Sequence, residues 1–191
     1  TSGAPLEDEL FPAGKPPADT PIVDPGNAVY LLLLLATANQ WARALIFYTV
    51  DFKVAPSDEA ARLFMNVDVG FGQAEYGLLA SIGFAALFSL TSLVAGGFVD
   101  RVNTRNLLTG TSALWSGATV AQGLANSFPA LLASRVATSI GQGFTNPSSY
   151  TILGRLYPAD KRATVNGLYA SSVYFGGGLA ALSVIIDQQV G

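Results

Sequence analysis

The chain has 191 residues, of which 50% are hydrophobic and only 12% are charged, and its formal net charge at pH 7 is −3. It contains no cysteine, which excludes a disulfide framework, a thiolate metal site and a cysteine nucleophile. It contains no histidine, which excludes an imidazole base and an imidazole ligand for a metal, haem or chlorophyll. The composition therefore predicts neither an enzyme nor a metal site. The mean hydropathy of +0.41 is typical of a chain that contains long apolar segments.

Residues 1–28 form an acidic tail in which prolines recur. The cluster Glu7-Asp8-Glu9 is balanced by a single lysine, Lys15. A segment with so little apolar surface cannot fold on its own. We therefore expect the tail to rest on another surface, with a partner subunit favoured over its own membrane domain.

Five apolar stretches follow the tail, at about residues 30–50, 76–99, 107–125, 128–153 and 164–186. As helices rising about 1.5 Å per residue, they approach or exceed the length that a hydrocarbon core of about 30 Å requires. They define a predicted transmembrane domain, residues 29–188, before a short end at 189–191. The sequence thus predicts an all-α membrane protein with five transmembrane helices.

Basic residues collect in two of the predicted loops, at Arg101, Arg105, Arg155, Lys161 and Arg162. The positive-inside rule places these loops on the cytoplasmic, stromal or matrix side. Five spans then put the N-terminus on that same side. We expect an integral protein of an organelle inner membrane or a thylakoid-type membrane, with the plasma or endosomal membrane as the alternative.

The loop between the second and third predicted spans carries a charged motif. Residues 96–105 read Gly-Gly-Phe-Val-Asp-Arg-Val-Asn-Thr-Arg, with Gly96, Asp100, Arg101 and Arg105 at fixed spacing. This motif resembles the loop G-x-x-x-D-R-x-G-R-R between helices two and three of the major facilitator superfamily (MFS). Asn103 replaces the later glycine, which we expect to be tolerated because asparagine also visits left-handed conformations.

A second resemblance lies in the fourth and fifth spans. The fourth helix of MFS proteins carries the pattern R-x-x-x-x-x-G-x-G-x-x-x-P, matched here by Arg135, Gly141, Gly143 and Pro147. The following loop resembles the MFS connection into helix five through Arg155, Pro158, Lys161, Arg162 and Gly167. The family implies an inner-face ion-pair network between Asp100 and Arg155 or Arg162, used as a gate. Small residues in these spans predict helix packing, at Gly141, Gly143, Pro147, Gly176, Gly177 and Gly178.

Among MFS branches, the chain most resembles the spinster-like transporters, whose first helix often carries N-x-x-D-R. Here that segment reads Asn39-Gln40-Trp41-Ala42-Arg43. Ala42 thus replaces an acidic residue, and Gln142 stands where the spinster-like fourth helix usually has glutamate. The resemblance implies that such carboxylates bind the coupling proton or sodium ion, and this chain lacks both.

Arg43 and Arg135 are the charged residues inside the predicted spans. At about 1.5 Å per residue, both lie in a similar layer near the outer third of the membrane. An arginine at this depth is costly unless it is paired or faces water. Each arginine either snorkels to the outer interface or bonds helix-end carbonyls. Otherwise it contacts an anionic partner, namely a carboxylate or phosphate ligand, a lipid head group or an acidic residue of another chain.

A complete MFS transporter needs two six-helix halves around a midplane site. The five predicted spans, the replaced carboxylates and the tail together favour a transporter-derived accessory or scaffold subunit of a larger membrane complex. It would contact membrane lipids and other membrane-protein subunits, and no nucleic acid. The alternative is the N-terminal half of a secondary transporter for an amphipathic or anionic organic solute, and a weaker third interpretation is a homodimerising half-transporter. No cofactor is predicted, although a bound lipid or pigment remains compatible with the sequence.

Overall fold

The computed structural model describes residues 25–53 and 64–190. Within these ranges all regular secondary structure is helical, which confirms the all-α prediction for this part of the chain. Residues 1–24 lie outside the described residues, and so does the predicted docking of the tail, residues 1–28, whereas residues 25–28 of that predicted tail are helical.

From α2 onward the helices follow one another with short connections. They are α1 (Pro25–Tyr48), α2 (Met65–Asp68), α3 (Gln73–Gly77), α4 (Leu87–Phe98), α5 (Thr104–Gly123), α6 (Phe128–Gly143), α7 (Thr145–Leu156), α8 (Ala159–Ala170) and α9 (Ser172–Val190). A π-helical segment, Leu78–Ala86, joins α3 directly to α4, and a 3₁₀ turn, Val99–Arg101, follows α4. The stretch Gln73–Arg101 is therefore one long helical rod.

Three helical stretches in the described residues are long and apolar enough to cross a membrane: Asn27–Tyr48, Gln73–Arg101 and Ala159–Ile186. They coincide with the first, second and fifth predicted spans. The third predicted span corresponds to α5, which has 20 residues but begins with the polar segment Thr104-Arg105-Asn106. The fourth is divided between α6 and α7, each too short to cross alone. The number of five spans stays a prediction.

The division of the fourth span at Phe144 has a local cause. Pro147 lies in the first turn of α7, where its missing N–H costs nothing. Its ring would clash with the carbonyl of residue 143 in an uninterrupted α-helix, so α6 ends at Gly143 and a new helix begins.

Asn103 begins α5 as its N-cap. Its side-chain Oδ1 accepts hydrogen bonds from the backbone N–H groups of Arg105 and Asn106, at 3.1 and 3.2 Å. Its φ is −66°, which is not left-handed, so the expectation of a left-handed conformation at this position is wrong. Asparagine is suited to this site because its side chain replaces the missing helical acceptors.

Glycines bring the helix backbones into close contact at three points. A Cβ added to Gly141 would lie 2.8 Å from Cβ of Trp115, one added to Gly143 would lie 2.7 Å from Cβ of Thr91, and one added to Gly176 would lie 2.5 Å from Cβ of Gln40. These contacts join α6 to α5, α6 to α4, and α9 to α1. Gly177 and Gly178 have no atom within 4 Å of such a Cβ.

Two apolar clusters bracket the middle of α1. The first surrounds Leu32 and Ala36, together with Leu108, Leu153 and Tyr169, and the second surrounds Ile46 with Leu79 and Leu131. Asn39 and Arg43 of α1 fall between them, where they contact α6 and the π-helical segment. The polar residues of this layer are thus enclosed above and below by apolar packing.

Candidate functional site

Arg43 and Arg135 meet in the layer between the two apolar clusters. Nη2 of Arg135 donates a hydrogen bond to the backbone carbonyl of Arg43 at 3.3 Å. The guanidinium carbon of Arg135 lies 4.4 Å from the ring centroid of Phe84, and that of Arg43 lies 5.4 Å from the same centroid. The guanidinium carbon of Arg43 also lies 4.2 Å from the ring centroid of Phe88. Two residues predicted separately therefore form one site with two aromatic rings.

Arg135 is the more enclosed of the two arginines, with 1% of its surface exposed, whereas Arg43 is half-buried. Its Nε and Nη1 have no hydrogen-bond acceptor among the described protein atoms. Burying a cation without hydrogen-bond acceptors is expensive, because the water that it loses is not replaced. This burial does not fit an arginine that snorkels to the interface, and the free donors favour an acceptor that binds there.

Neutral amides surround the guanidinium of Arg43. Its Nε donates to Oε1 of Gln142 at 3.3 Å, and its Nη2 donates to Oδ1 of Asn39 at 3.4 Å. Nε2 of Gln142 in turn donates to the backbone carbonyl of Asn39 at 3.3 Å, and Nδ2 of Asn39 donates to Oγ1 of Thr145 at 3.4 Å. The network holds Arg43 in place without neutralising its charge.

Helical spacing explains why these side chains converge. Asn39 and Arg43 are four residues apart on α1, and Arg135 and Gln142 are seven residues apart on α6, so each pair shares one helix face. Phe84 belongs to the π-helical segment, a form of helix that is frequent at functional sites. The motifs did not identify Phe84 or Phe88 as site residues; two phenylalanines four positions apart in a membrane helix were the available signal.

Neither arginine pairs with a carboxylate in the part of the chain that the structure describes. The ion pair found there joins Arg155 to Asp100 at 3.4 Å, at the far end of α7 and outside this layer. The same described residues hold no cluster of three or more acidic side chains that could bind a metal ion. The site therefore carries two positive charges, and the residues that contact them are neutral.

The charged loop residues form a separate, exposed group. Arg155 contacts Asp100 and also donates to Oγ1 of Thr104 at 3.2 Å, whereas Nε of Arg162 donates to the carbonyl of Tyr157 at 3.0 Å. The side chains of Arg155 and Asp100 are 42% and 72% exposed, so solvent screens their attraction. The remaining predicted residues of this group are exposed as well: Gly96, Arg101, Arg105 and Lys161.

Apolar grooves lie on the outside of the helices. One of about 420 Å³ runs between α1 and α9 and is lined by Leu33, Leu34, Tyr174, Phe175 and Leu182. Tyr174 is 83% exposed. A lipid-facing surface has this character, since hydrocarbon tails solvate apolar side chains.

The chain is similar in sequence to known membrane transporters. Residues 29–190 match the family model of the Major Facilitator Superfamily. The chain is 29% identical over 154 residues to a D-galactonate transporter of Escherichia coli O6:H1, covering 80% of this chain and 33% of that protein. It is 31% identical over 126 residues to the probable anion transporter 3, chloroplastic, of Arabidopsis thaliana, covering 61% of this chain and 24% of that protein.

Two crystal structures of a bacterial homolog to the human lysosomal transporter Spinster are similar in fold. The inward-facing, occupied conformation gives a TM-score of 0.70 at 31% identity and covers 81% of this chain and 31% of that one. The inward-facing, unoccupied conformation gives 0.71 at 28% identity, covering 84% and 31%. The resemblance to MFS proteins and their spinster-like branch is thus confirmed. The chain spans about a third or less of the length of these relatives.

Proposed function

The chain belongs to the Major Facilitator Superfamily, and we propose that it is the N-terminal part of a secondary transporter that binds an anionic solute between Arg43 and Arg135. The observation that carries this proposal is the buried guanidinium of Arg135, with two donors that no described acceptor satisfies. Arginine suits such a role because its planar fork matches the geometry of carboxylate and phosphate groups. Relatives named as galactonate and anion transporters support it.

The arrangement of the side chains suggests how the anion is held. The ring of Phe84 lies against both guanidinium groups and leaves their N–H edges for hydrogen bonding. Gln142 and Asn39 fix the orientation of Arg43 before the anion arrives. Pre-ordered donors of this kind reduce the cost of binding.

The membrane arrangement is part of the same proposal. Five segments cross the membrane in this arrangement: α1, the rod Gln73–Arg101, α5, the α6–α7 pair and the α8–α9 pair. The basic loops lie on the cytoplasmic, stromal or matrix side, together with the N-terminus. The chloroplastic name of the Arabidopsis thaliana relative supports an organelle membrane.

Anion-dependent stabilisation tests the site. We expect D-galactonate or inorganic phosphate to raise the melting temperature of the full-length protein purified in mild detergent, because a ligand that binds only the folded state stabilises it. Arg135→Gln should abolish this rise, whereas Arg105→Gln, at an exposed loop position, should keep it. An equal rise in all three proteins would contradict the proposal.

A second candidate is the accessory or scaffold subunit favoured by the motif departures. Ala42 and Gln142 stand where spinster-like transporters are expected to have the carboxylates that bind the coupling ion. The lack of these carboxylates favours the accessory-subunit candidate. The similarity to transporters weighs against it. A native gel of the source membrane separates the two candidates. Migration only within a large multi-subunit band supports the subunit, and migration as a single transporter-sized particle supports the transporter.

A further inference from the structure

We infer that the site of Arg43 and Arg135 selects a dianion over a monoanion of the same size, an inference that rests on the proposed anion-binding function. Both guanidinium carbons lie within 5.4 Å of the ring centroid of Phe84, so the two positive charges adjoin the same aromatic ring.

Among the described residues, the groups that contact these two guanidinium charges are neutral. Asn39 and Gln142 contribute amides, Phe84 and Phe88 contribute rings, and the carbonyl of Arg43 contributes a dipole. Tyrosine side chains are uncharged at neutral pH, so they add no negative charge to the site. Among the described side chains, no aspartate or glutamate pairs with either arginine.

A monoanion would therefore leave one positive charge without a counter-charge in a buried layer. A buried, unpaired charge carries a large desolvation cost, which a second negative charge on the ligand offsets. Two negative charges also allow each arginine a charge-assisted hydrogen bond, the stronger class of hydrogen bond. The preferred ligand class is thus a dianion, either a dicarboxylate or a compact doubly charged oxyanion, and a monoanion such as D-galactonate binds more weakly.

Two matched pairs of probes test the inference on the full-length protein. Succinate and succinamate have the same length but differ by one charge. The compact anions sulfate and methyl sulfate differ by one charge and one methyl group. Binding is measured by calorimetry at about pH 7.5, where carboxylates are fully ionised. We expect the dianion of at least one pair to bind tenfold more tightly or better, about the gain of one added charge-assisted hydrogen bond. The pair that shows the preference tells whether the two charges sit at two ends of the ligand or on one centre.

Variants separate charge selection from folding. Arg43→Gln removes one charge and should make the affinities within a pair equal, while Arg105→Gln should leave the preference intact. If Arg43→Gln does not fold, Arg43→Lys, which keeps the charge, should retain the preference that the wild-type comparison establishes. Equal binding of monoanion and dianion by the wild type would overturn this inference and leave the anion site standing. Failure of all four probes to bind would overturn the anion site as well.

Discussion

Arg135 donates a hydrogen bond to the backbone carbonyl of Arg43 at 3.3 Å, although the two residues are 92 positions apart in the sequence. The bond ties α6 to α1 at the level where both guanidinium groups lie on Phe84. Two like charges held together in this way carry a desolvation cost, because neither has a carboxylate partner among the described residues. The anion that we propose to bind there would offset this cost.

Arg135→Gln should therefore act on stability and on binding in opposite directions. Removing a buried cation with unpaired donors should leave the free energy of unfolding unchanged or raise it by about 1–3 kcal/mol in the absence of anion. Anion-dependent stabilisation should be lost at the same time. Chemical or thermal unfolding with and without phosphate measures both effects. A large loss of anion-free stability would mean that the arginine is structural.

Phe84→Leu should weaken the site more than Phe88→Leu does. Phe84 lies against both guanidinium groups, whereas Phe88 lies against that of Arg43. Each cation–π contact contributes about 0.5–2 kcal/mol, so losing two should reduce anion affinity more than losing one. Titration of both variants with the same anion gives the comparison, and equal affinities would show that the shared ring has no special role.

The helical regions followed from the apolar runs, but the break within the fourth span did not. Hydropathy rises and falls over many residues and is insensitive to a single interruption, so 128–153 was predicted as one span. The local signal was Pro147, whose ring opposes a carbonyl four residues earlier. The motif that contains Pro147 indicates helix packing and not a break in the helix.

Two of the residues that meet in this layer stand out in the sequence. Counting charges within the spans identified Arg43 and Arg135 and placed them at similar depth, but not in contact. Phe84 carries no motif and no charge, and the α-helical repeat does not give the face on which it lies. The π-helical segment Leu78–Ala86 changes that repeat and turns the residues to a different direction. Local helix geometry of this kind depends on tertiary packing and cannot be inferred from a hydrophobic pattern.

Gly141→Ala should destabilise the contact between α5 and α6. The added Cβ would lie 2.8 Å from Cβ of Trp115 and 2.9 Å from the carbonyl oxygen of Thr111, and the backbone carbonyl cannot move without shifting α5. Such overpacking costs about 1–3 kcal/mol. Gly117→Ala on α5 is the matched control, because no atom lies within 4 Å of its Cβ and alanine favours the helix. The midpoints of unfolding in denaturant measure both, and equal midpoints would show that α5 adjusts freely.

Gln142→Glu tests the charge argument by adding a carboxylate where the structure has an amide. Oε1 of Gln142 lies 3.3 Å from Nε of Arg43, so a glutamate there would form an ion pair with that arginine. The net charge of the site would fall from two to one, and the preference for dianions over monoanions should fall with it. Protonation of the new carboxyl removes its charge, so dianion affinity should rise again as the pH is lowered. Wild-type protein, with the neutral amide, should show no such recovery over the same pH range once the ionisation of the probe is taken into account. Sulfate and methyl sulfate binding across this range measures the effect, because both probes keep their charge where a carboxyl group is protonated. A dianion preference that the substitution leaves unchanged would refute the control of selectivity by site charge.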